Sequence, residues 1–537
     1  MAFSFLRILT YVLGLVGTSL LLPLGIAIWK DETSAIPAFL VPMLSGWGVA
    51  ITFWLRAHSR PRVFDVQHAF GTVGGIWIAI CLFGALPLYF SGCFPSFTDA
   101  VFESVSGFTT TGASVLSDVE RLPISVNLWR CETHWLGGLG VIALAVALIP
   151  LLGIGGFRLI KAETTGPDKA KLTSLIANTA KMLWFIYMTL TAVQAFLLWH
   201  VGMEAVDALA HAFSTMGTGG FSTRNASVGA FGLPTAEWIC TAFMLLASVN
   251  FTLYYRVLTG RFGEVSRDSE LRTLLALVFC AVAFATAVEC SSWSEIGTTL
   301  RSVAFQVASI ISTTGFMTDD YLTWRPAAQV VIFILFFVGG SSGSTAGGIK
   351  VIRWTILGKQ LRNELRRILH PHEVFTLSIN GCSGREAFVP VVASFVFVYM
   401  LLVLATTLAG ALAGLDVFTA FTGALSMVGN VGPAFGGLGP TSNYGALAAP
   451  LKWFYMFAML AGRLEIYTLL ILVGRTCFLR NHALFCRTSE KSSEGRHVCF
   501  SSGRERARSY ELDPHSCGHE DRACIETAVK VGSTEDK

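Results

Sequence analysis

The chain has 537 residues, 53% of them hydrophobic and only 14% charged, with a net charge of +4 and a mean hydropathy of +0.60. Soluble domains carry about 25% charged residues, so this composition excludes a disordered chain, a coiled coil and an ordinary cytosolic enzyme, and so small a net charge gives no reason to expect a nucleic-acid partner. With 52 glycines the chain reads as an all-α polytopic protein of the lipid bilayer, where glycine permits close helix packing.

The first apolar run, Phe3 to Ile28, is too long for a signal-peptide core and has no small-x-small cleavage site. It reads as a retained transmembrane helix, interrupted near Pro23. Apolar stretches follow at about 35–55, 69–90, 129–153, 181–201, 235–259, 271–290, 327–349, 386–413 and 450–474, each near the roughly 20 residues that a span needs. The first two candidates stand alone, and the other eight form four pairs. Within each pair lies a shorter, Gly- and Thr-rich segment: TDAVFESVSGFTTTGAS, VDALAHAFSTMGTGGFS, RSVAFQVASIISTTGFM and FTAFTGALSMVGNVGPA. Aligned on Gly112, Gly220, Gly315 and Gly432, these segments carry Asp99, Asp207, Ser302 and Thr419 thirteen residues earlier. All four are N-cap types, which predicts a short half-helix from each cap to an extended Gly loop. A fourfold repeat of this kind decides the fold. Two N-terminal helices occupy 1–60, and pore repeats occupy 61–160, 161–262, 263–370 and 371–478. A tail covers 479–537.

The four tetrapeptides are Thr109-Thr110-Thr111-Gly112, Gly217-Thr218-Gly219-Gly220, Ser312-Thr313-Thr314-Gly315 and Gly429-Asn430-Val431-Gly432. None contains a catalytic acid or base, and what they offer is backbone. Glycine permits dihedrals that turn successive carbonyls to one side, and rings of carbonyls can replace the hydration shell of a monovalent cation. Non-helical backbone at membrane depth must be buried or line a wet cavity, and a shared central pore meets that condition for all four loops. Each half-helix would aim its negative C-terminal end at the ion path.

Lys and Arg concentrate in the linkers opposite the Gly loops, as in Arg56, Arg60 and Arg62 or Lys350 to Arg367. The positive-inside rule then puts the Gly loops outside and both termini in the cytoplasm. The run Gly339, Gly340, Ser341, Ser342, Gly343, Ser344, Thr345, Ala346, Gly347, Gly348 interrupts the second span of the third repeat. Five glycines in ten residues hold a helix poorly, each costing up to about 1 kcal/mol relative to Ala, so this segment reads as a mobile gate below the filter, on the only inner helix with such a break. Arg463 lies midway along the last span, where a charge faces the interior, and Glu465 is too close in sequence to share its helix face. His134 reads as a structural hydrogen-bonder and Asn250 as an interhelical one, and the scattered cysteines read as small buried hydrophobes. Asp118, Glu120, Asp319 and Asp320 follow the loops and either concentrate cations or are ordinary solvated charges.

The motifs FTTTGAS, HWLGGLGVIALAVALIP, FSTMGTGGFST, STTGF, GGSSGSTAGGIKV, GNVGPAFG and AGRLEIYTLL resemble those of the Trk/Ktr/HKT superfamily of potassium transporters, over about residues 1–475. The resemblance implies a pseudo-fourfold pore that carries K⁺ across the bacterial inner membrane, with K⁺ at the four tetrapeptides as the only metal. It implies a homodimer with one pore per protomer, and a docked cytosolic ring of TrkA type that binds a nucleotide, ATP/ADP or NAD. It implies an intramembrane gate loop touched by an Arg below the filter, the place of Arg463. No covalently bound cofactor and no enzymatic activity are implied. Sodium-preferring plant relatives carry Ser at the first filter Gly; here all four glycines are present, which favours K⁺ over a Na⁺ or mixed Na⁺/K⁺ transporter. Relatives end soon after the last helix, so the polar 479–537 segment with His515, Cys517, His519 and Cys524 departs from the pattern; its spacing fits no zinc motif, and it reads as disordered.

Overall fold

A computed structural model describes residues 2–56, 66–152, 169–370, 372–373, 375–380 and 388–466, and the expectation for the 479–537 tail lies outside them. The described residues are helical, without a strand among them. Helices α1 (Ala2–Ser19), α2 (Leu21–Trp29) and α3 (Ala35–Arg56) come first. The break in the first span falls at Leu20, not Pro23. Pro23 occupies the first turn of α2, where its missing N–H has no helical acceptor to lose.

The first repeat comprises α4 (Val66–Phe90), the half-helix α5 (Phe97–Phe108) and α6 (Ile124–Leu152). The second comprises α7 (Lys169–His200), the half-helix α8 (Ala205–Gly217), α9 (Pro234–Ser248) and α10 (Phe251–Leu258). A short α11 (Phe262–Ser266) leads into the third, with α12 (Ser269–Glu289), the half-helix α13 (Ile296–Ile311), α14 (Pro326–Leu335) and α15 (Val351–Leu369). The fourth holds α16 (Phe388–Leu412), the half-helix α17 (Val417–Gly429) and α18 (Ala449–Arg463).

Six stretches among the described residues are long and apolar enough to span a membrane, and α9 with α10 makes a seventh if that pair, bent by 94°, is one span. Of the expected ten, the closing stretches of the second, third and fourth repeats are interrupted, whereas α6 of the first repeat is continuous. The stretch expected at 327–349 is helical only to Leu335, and the helix expected at 450–474 stops at Arg463. Two of these interruptions satisfy one another. The Ser341 N–H donates to the Ser248 carbonyl at 2.8 Å, and the Phe251 N–H to the Gly343 carbonyl at 3.2 Å. Backbone groups freed by the α9–α10 bend thus find partners in the third-repeat loop, as irregular backbone at membrane depth requires. The glycine loop is therefore not the only break in a closing helix. Asn250 caps α10 by accepting the Thr252 N–H at 2.9 Å, instead of bonding between helices.

The half-helices begin earlier than the sequence suggests. Ser96 caps α5 and Asp416 caps α17, each accepting the N–H three residues on. Asp99, Asp207 and Thr419 are the third residues of their helices and Ser302 the seventh of α13. Their side chains tie down neighbouring chain instead. Asp99 pairs with Lys452 at 2.6 Å, and Asp207 accepts from Thr223 at 2.7 Å. Ser302 donates to Asp319 at 2.9 Å, and the Gly437 N–H donates to Thr419. Cys81, Cys131 and Cys240 are buried as small apolar groups, whereas Cys280 faces outward.

Candidate ion path and intramembrane loop

Each Gly loop is built by one local device. A serine stands six residues before each aligned glycine: Ser106, Ser214, Ser309 and Ser426. Its carbonyl accepts the N–H of the residue just before that glycine: Thr111 at 2.8 Å, Gly219 at 2.9 Å, Thr314 at 2.8 Å and Val431 at 3.0 Å. The residue between, Thr110, Thr218, Thr313 or Asn430, is left-handed, with φ of 53°, 56°, 55° and 55°. This is the Schellman way of ending a helix. It normally uses glycine or asparagine, and a β-branched residue there is a true outlier, stored at about 1–3 kcal/mol each. The glycine itself then has φ of 80°, 83°, 77° or 101°. The serine register is legible in the sequence and was missed there; the shared six-residue spacing is its signal.

The four loops meet in a closed cycle. A Cβ on Gly112 would overlap the Gly219 carbonyl oxygen, one on Gly220 that of Thr314, one on Gly315 that of Val431, and one on Gly432 that of Thr111. Every aligned glycine thus faces the carbonyl preceding the next one, and the fourth returns to the first. All four glycines line a single cavity of about 170 Å³, together with Ser114, Met317 and Tyr444 among others. Side chains lock the ring from behind. Thr109 and Thr111 hydroxyls pair at 2.8 Å, and Ser312 and Thr314 at 2.7 Å. Asn430 donates to the Thr111 hydroxyl at 3.0 Å, and Tyr444 to the Gly432 carbonyl at 2.7 Å. Gly217 and Gly219 are required because the backbone and ring of His134 lie where their Cβ atoms would be. His134 stacks on Phe221 at 4.2 Å.

Among the described residues, no carboxylate lines the cavity. Glu103 is buried in an ion pair with Arg130 at 2.7 Å and accepts the Val115 N–H. Asp118, Glu120, Asp319 and Asp320 do not line the cavity. Asn225 bonds Asp118 at 2.8 Å, and this contact, ahead of the Glu120 N–H and Arg121, holds the Asp118 carboxyl below its usual range. Asp319 accepts from Trp324, and Asp320 caps a short turn.

On one side of the ring lies the 336–350 segment. Its neck is closed by Gly339 N–H to the Ile349 carbonyl at 2.9 Å and Val351 N–H to the Gly340 carbonyl at 3.2 Å. Glu270, which the sequence analysis did not single out, accepts the Ser342 N–H at 2.6 Å and the Ile352 N–H at 3.2 Å, clamping both limbs to α12. Farther along, Thr345 donates to the Ala247 carbonyl, Lys350 to the Ala346 carbonyl, and Gly347 N–H to the Thr313 hydroxyl. A Cβ on Gly347 would overlap the Gly429 carbonyl. Arg463 is buried and donates to the Thr345 carbonyl at 2.8 Å and the Gly137 carbonyl at 3.2 Å, joining loop to α6. Glu465 pairs with Arg353 at 2.5 Å, not with Arg463.

Half-helices that turn back at loops meeting around one cavity, inside a bundle with several membrane-length apolar helices, define a polytopic membrane transport protein. The family model described as "TrkH: Cation transport protein" matches residues 48–476. The chain is 37% identical to the Trk system potassium uptake protein TrkH of Salmonella typhimurium over 481 residues, 88% of this chain and 99% of that one. It is 38% identical to the Halomonas elongata TrkH over 84% of this chain and 96% of that one. The crystal structure of the potassium transporter TrkH from Vibrio parahaemolyticus superposes with a TM-score of 0.79 at 32% identity, covering 88% of this chain and 98% of that one. The chain belongs to the TrkH family of cation transport proteins, within the Trk/Ktr/HKT superfamily, a family of transporters and not of enzymes.

Proposed function

We propose that this protein carries K⁺ into the cell across the bacterial inner membrane, through a filter formed by residues 109–112, 217–220, 312–315 and 429–432. The observation that carries the reading is the cycle of four glycines against four carbonyls around one cavity. Carbonyl dipoles replace the water shell of a monovalent cation, and the C-terminal ends of α5, α8, α13 and α17 add negative potential at the same place. An inside-negative potential drives each ion inward by about 2.3 kcal/mol per 100 mV. The relatives' naming as potassium uptake proteins favours K⁺, and Gly at all four ring positions favours it over Na⁺.

The Gly339–Gly348 loop is the gate in this reading. Arg463 holds it by its Thr345 carbonyl and places a fixed positive charge on the inner side of the filter. The basic helix α15 follows the loop directly, so a cytosolic TrkA-type ring, loaded with ATP/ADP or NAD, acts on the gate through it; the working unit is a homodimer. Orientation follows from charge. Lys and Arg are more numerous in the linkers opposite the ring than beside it, which places those linkers toward the cytoplasm with both termini.

The test is Rb⁺ uptake in a potassium-starved bacterial host, measured in competition with Na⁺. Uptake of Rb⁺ that excess Na⁺ leaves intact is the expected result. Uptake of Na⁺ at an equal rate would replace K⁺ selectivity by mixed cation transport.

A further inference from the structure

The second residue of each tetrapeptide is left-handed in all four loops, yet the four side chains are spent differently. The Thr110 hydroxyl is buried without a partner. The Thr218 hydroxyl donates to its own Gly217 carbonyl at 2.6 Å. Asn430 donates to Thr111 and to the Met459 carbonyl. Thr313 alone of the four bonds to the intramembrane loop, accepting the Gly347 N–H at 2.6 Å while fully buried. Gly347 has little freedom to do otherwise. A side chain there would overlap the Gly429 carbonyl and approach the Asn430 Cβ to 3.0 Å, so the loop backbone is pressed against the third and fourth loops at once.

We infer that the Thr313–Gly347 hydrogen bond couples the gate loop to the third filter loop, so that gate position and filter geometry change together. The inference rests on the filter and gate reading above. The physical basis is that a β-branched residue at φ of 55° is held against its own preference. With the loop seated, Gly347 engages one lone pair of the hydroxyl and fixes its rotamer. When the loop withdraws, the Gly347 N–H must find water, the hydroxyl is freed toward the ion path, and the strained turn loses one of its restraints. Thr110 and Thr218 have no such link, so the hydrogen-bonded coupling enters through the third loop, beside the packing of Gly347 on the fourth. Thr313 is a positioning residue in this scheme, acting on the gate through Gly347.

The experiment uses the full chain in liposomes without a regulatory partner and reads basal Rb⁺ flux and the Rb⁺/Na⁺ flux ratio. Thr313→Val removes the acceptor at nearly constant volume, and Thr313→Ala removes it with less bulk, should the valine chain fail to assemble. Each is combined with deletion of residues 343–346. Loss of the bond raises basal flux about fivefold in the intact chain and less than about twofold once the loop is shortened, because the two changes then remove the same restraint. Equal factors in both backgrounds, or no rise in the intact chain, would overturn the coupling. Equal Rb⁺ and Na⁺ flux through the wild-type chain would overturn the filter reading itself, whereas Rb⁺-selective wild-type flux with additive variants would overturn the coupling alone.

Discussion

The four-loop ring and the Gly339–Gly348 loop touch each other, and both are glycine-rich backbone without regular structure, but they are held in opposite ways. Each ring loop is made locally. A serine carbonyl six residues upstream of the glycine and a left-handed residue end the helix, and the neighbouring quadrant only completes the fit. The Gly339–Gly348 loop owes its place to distant residues: Glu270 on α12, Ser248 and Ala247 on α9, Thr313 in the ring and Arg463 at the end of α18. A structure built from local hydrogen bonds resists displacement unless its own sequence changes. One held at several long-range points loses about 1 kcal/mol of restraint with each point that is moved, which suits the ring to the filter role and the loop to the gate role proposed above.

Substitution inside the ring should break the first half of that comparison and produce the largest effect. Serine at Gly112, Gly220, Gly315 or Gly432 must push a neighbouring carbonyl away and adopt a left-handed φ. At about 1–3 kcal/mol of strain the K⁺/Na⁺ flux ratio should fall by about tenfold or more in each variant. Radiotracer flux for both ions checks it. Next in size is Arg463→Ala, which removes two charge-assisted bonds from the loop and α6; at about 1.5–3 kcal/mol for such bonds, basal flux without a regulator should rise roughly tenfold while the flux ratio holds. A flux ratio that collapses along with the gate would blur the distinction between the two regions.

Glu270→Ala should raise basal flux about fivefold by freeing two backbone N–H groups at the loop's neck, with Glu270→Gln, which keeps an acceptor oxygen, giving a smaller rise. The smallest effect is expected on α15. Reversing Arg362, Arg366 and Arg367 to Glu should weaken co-purification of a TrkA-type ring by about threefold, more at low salt because exposed charges are screened. Unchanged retention at low salt would move the docking surface elsewhere.

Much of the ring was legible in the sequence because its makers are close together: the glycine, the half-helix before it and the fourfold repeat. The half-helix starts were misplaced since Asp99, Asp207, Ser302 and Thr419 look like caps but spend their side chains on neighbouring chain, and cap chemistry alone cannot tell these uses apart. The glycine loop and Arg463 were visible as a broken span and an intramembrane charge. Glu270 was not, because a carboxylate in the first turn of a helix looks like ordinary dipole compensation, and its partners are 72 and 82 residues away. The 94° bend after Ser248 was hidden for the same reason. An Asn within an apolar run gives no hint that the backbone around it will pair with another repeat.

In the function proposed above, four glycine-facing carbonyls select the ion. That reading is tested most directly by Rb⁺ and Na⁺ flux measured side by side in liposomes holding the wild-type chain, Arg463→Ala and Gly432→Ser. Rb⁺-selective flux is expected in the first, larger flux of unchanged selectivity in the second, and lost selectivity in the third. Selectivity that survives Gly432→Ser and disappears with Arg463→Ala would contradict that reading, by placing ion selection in the loop below and not in the ring.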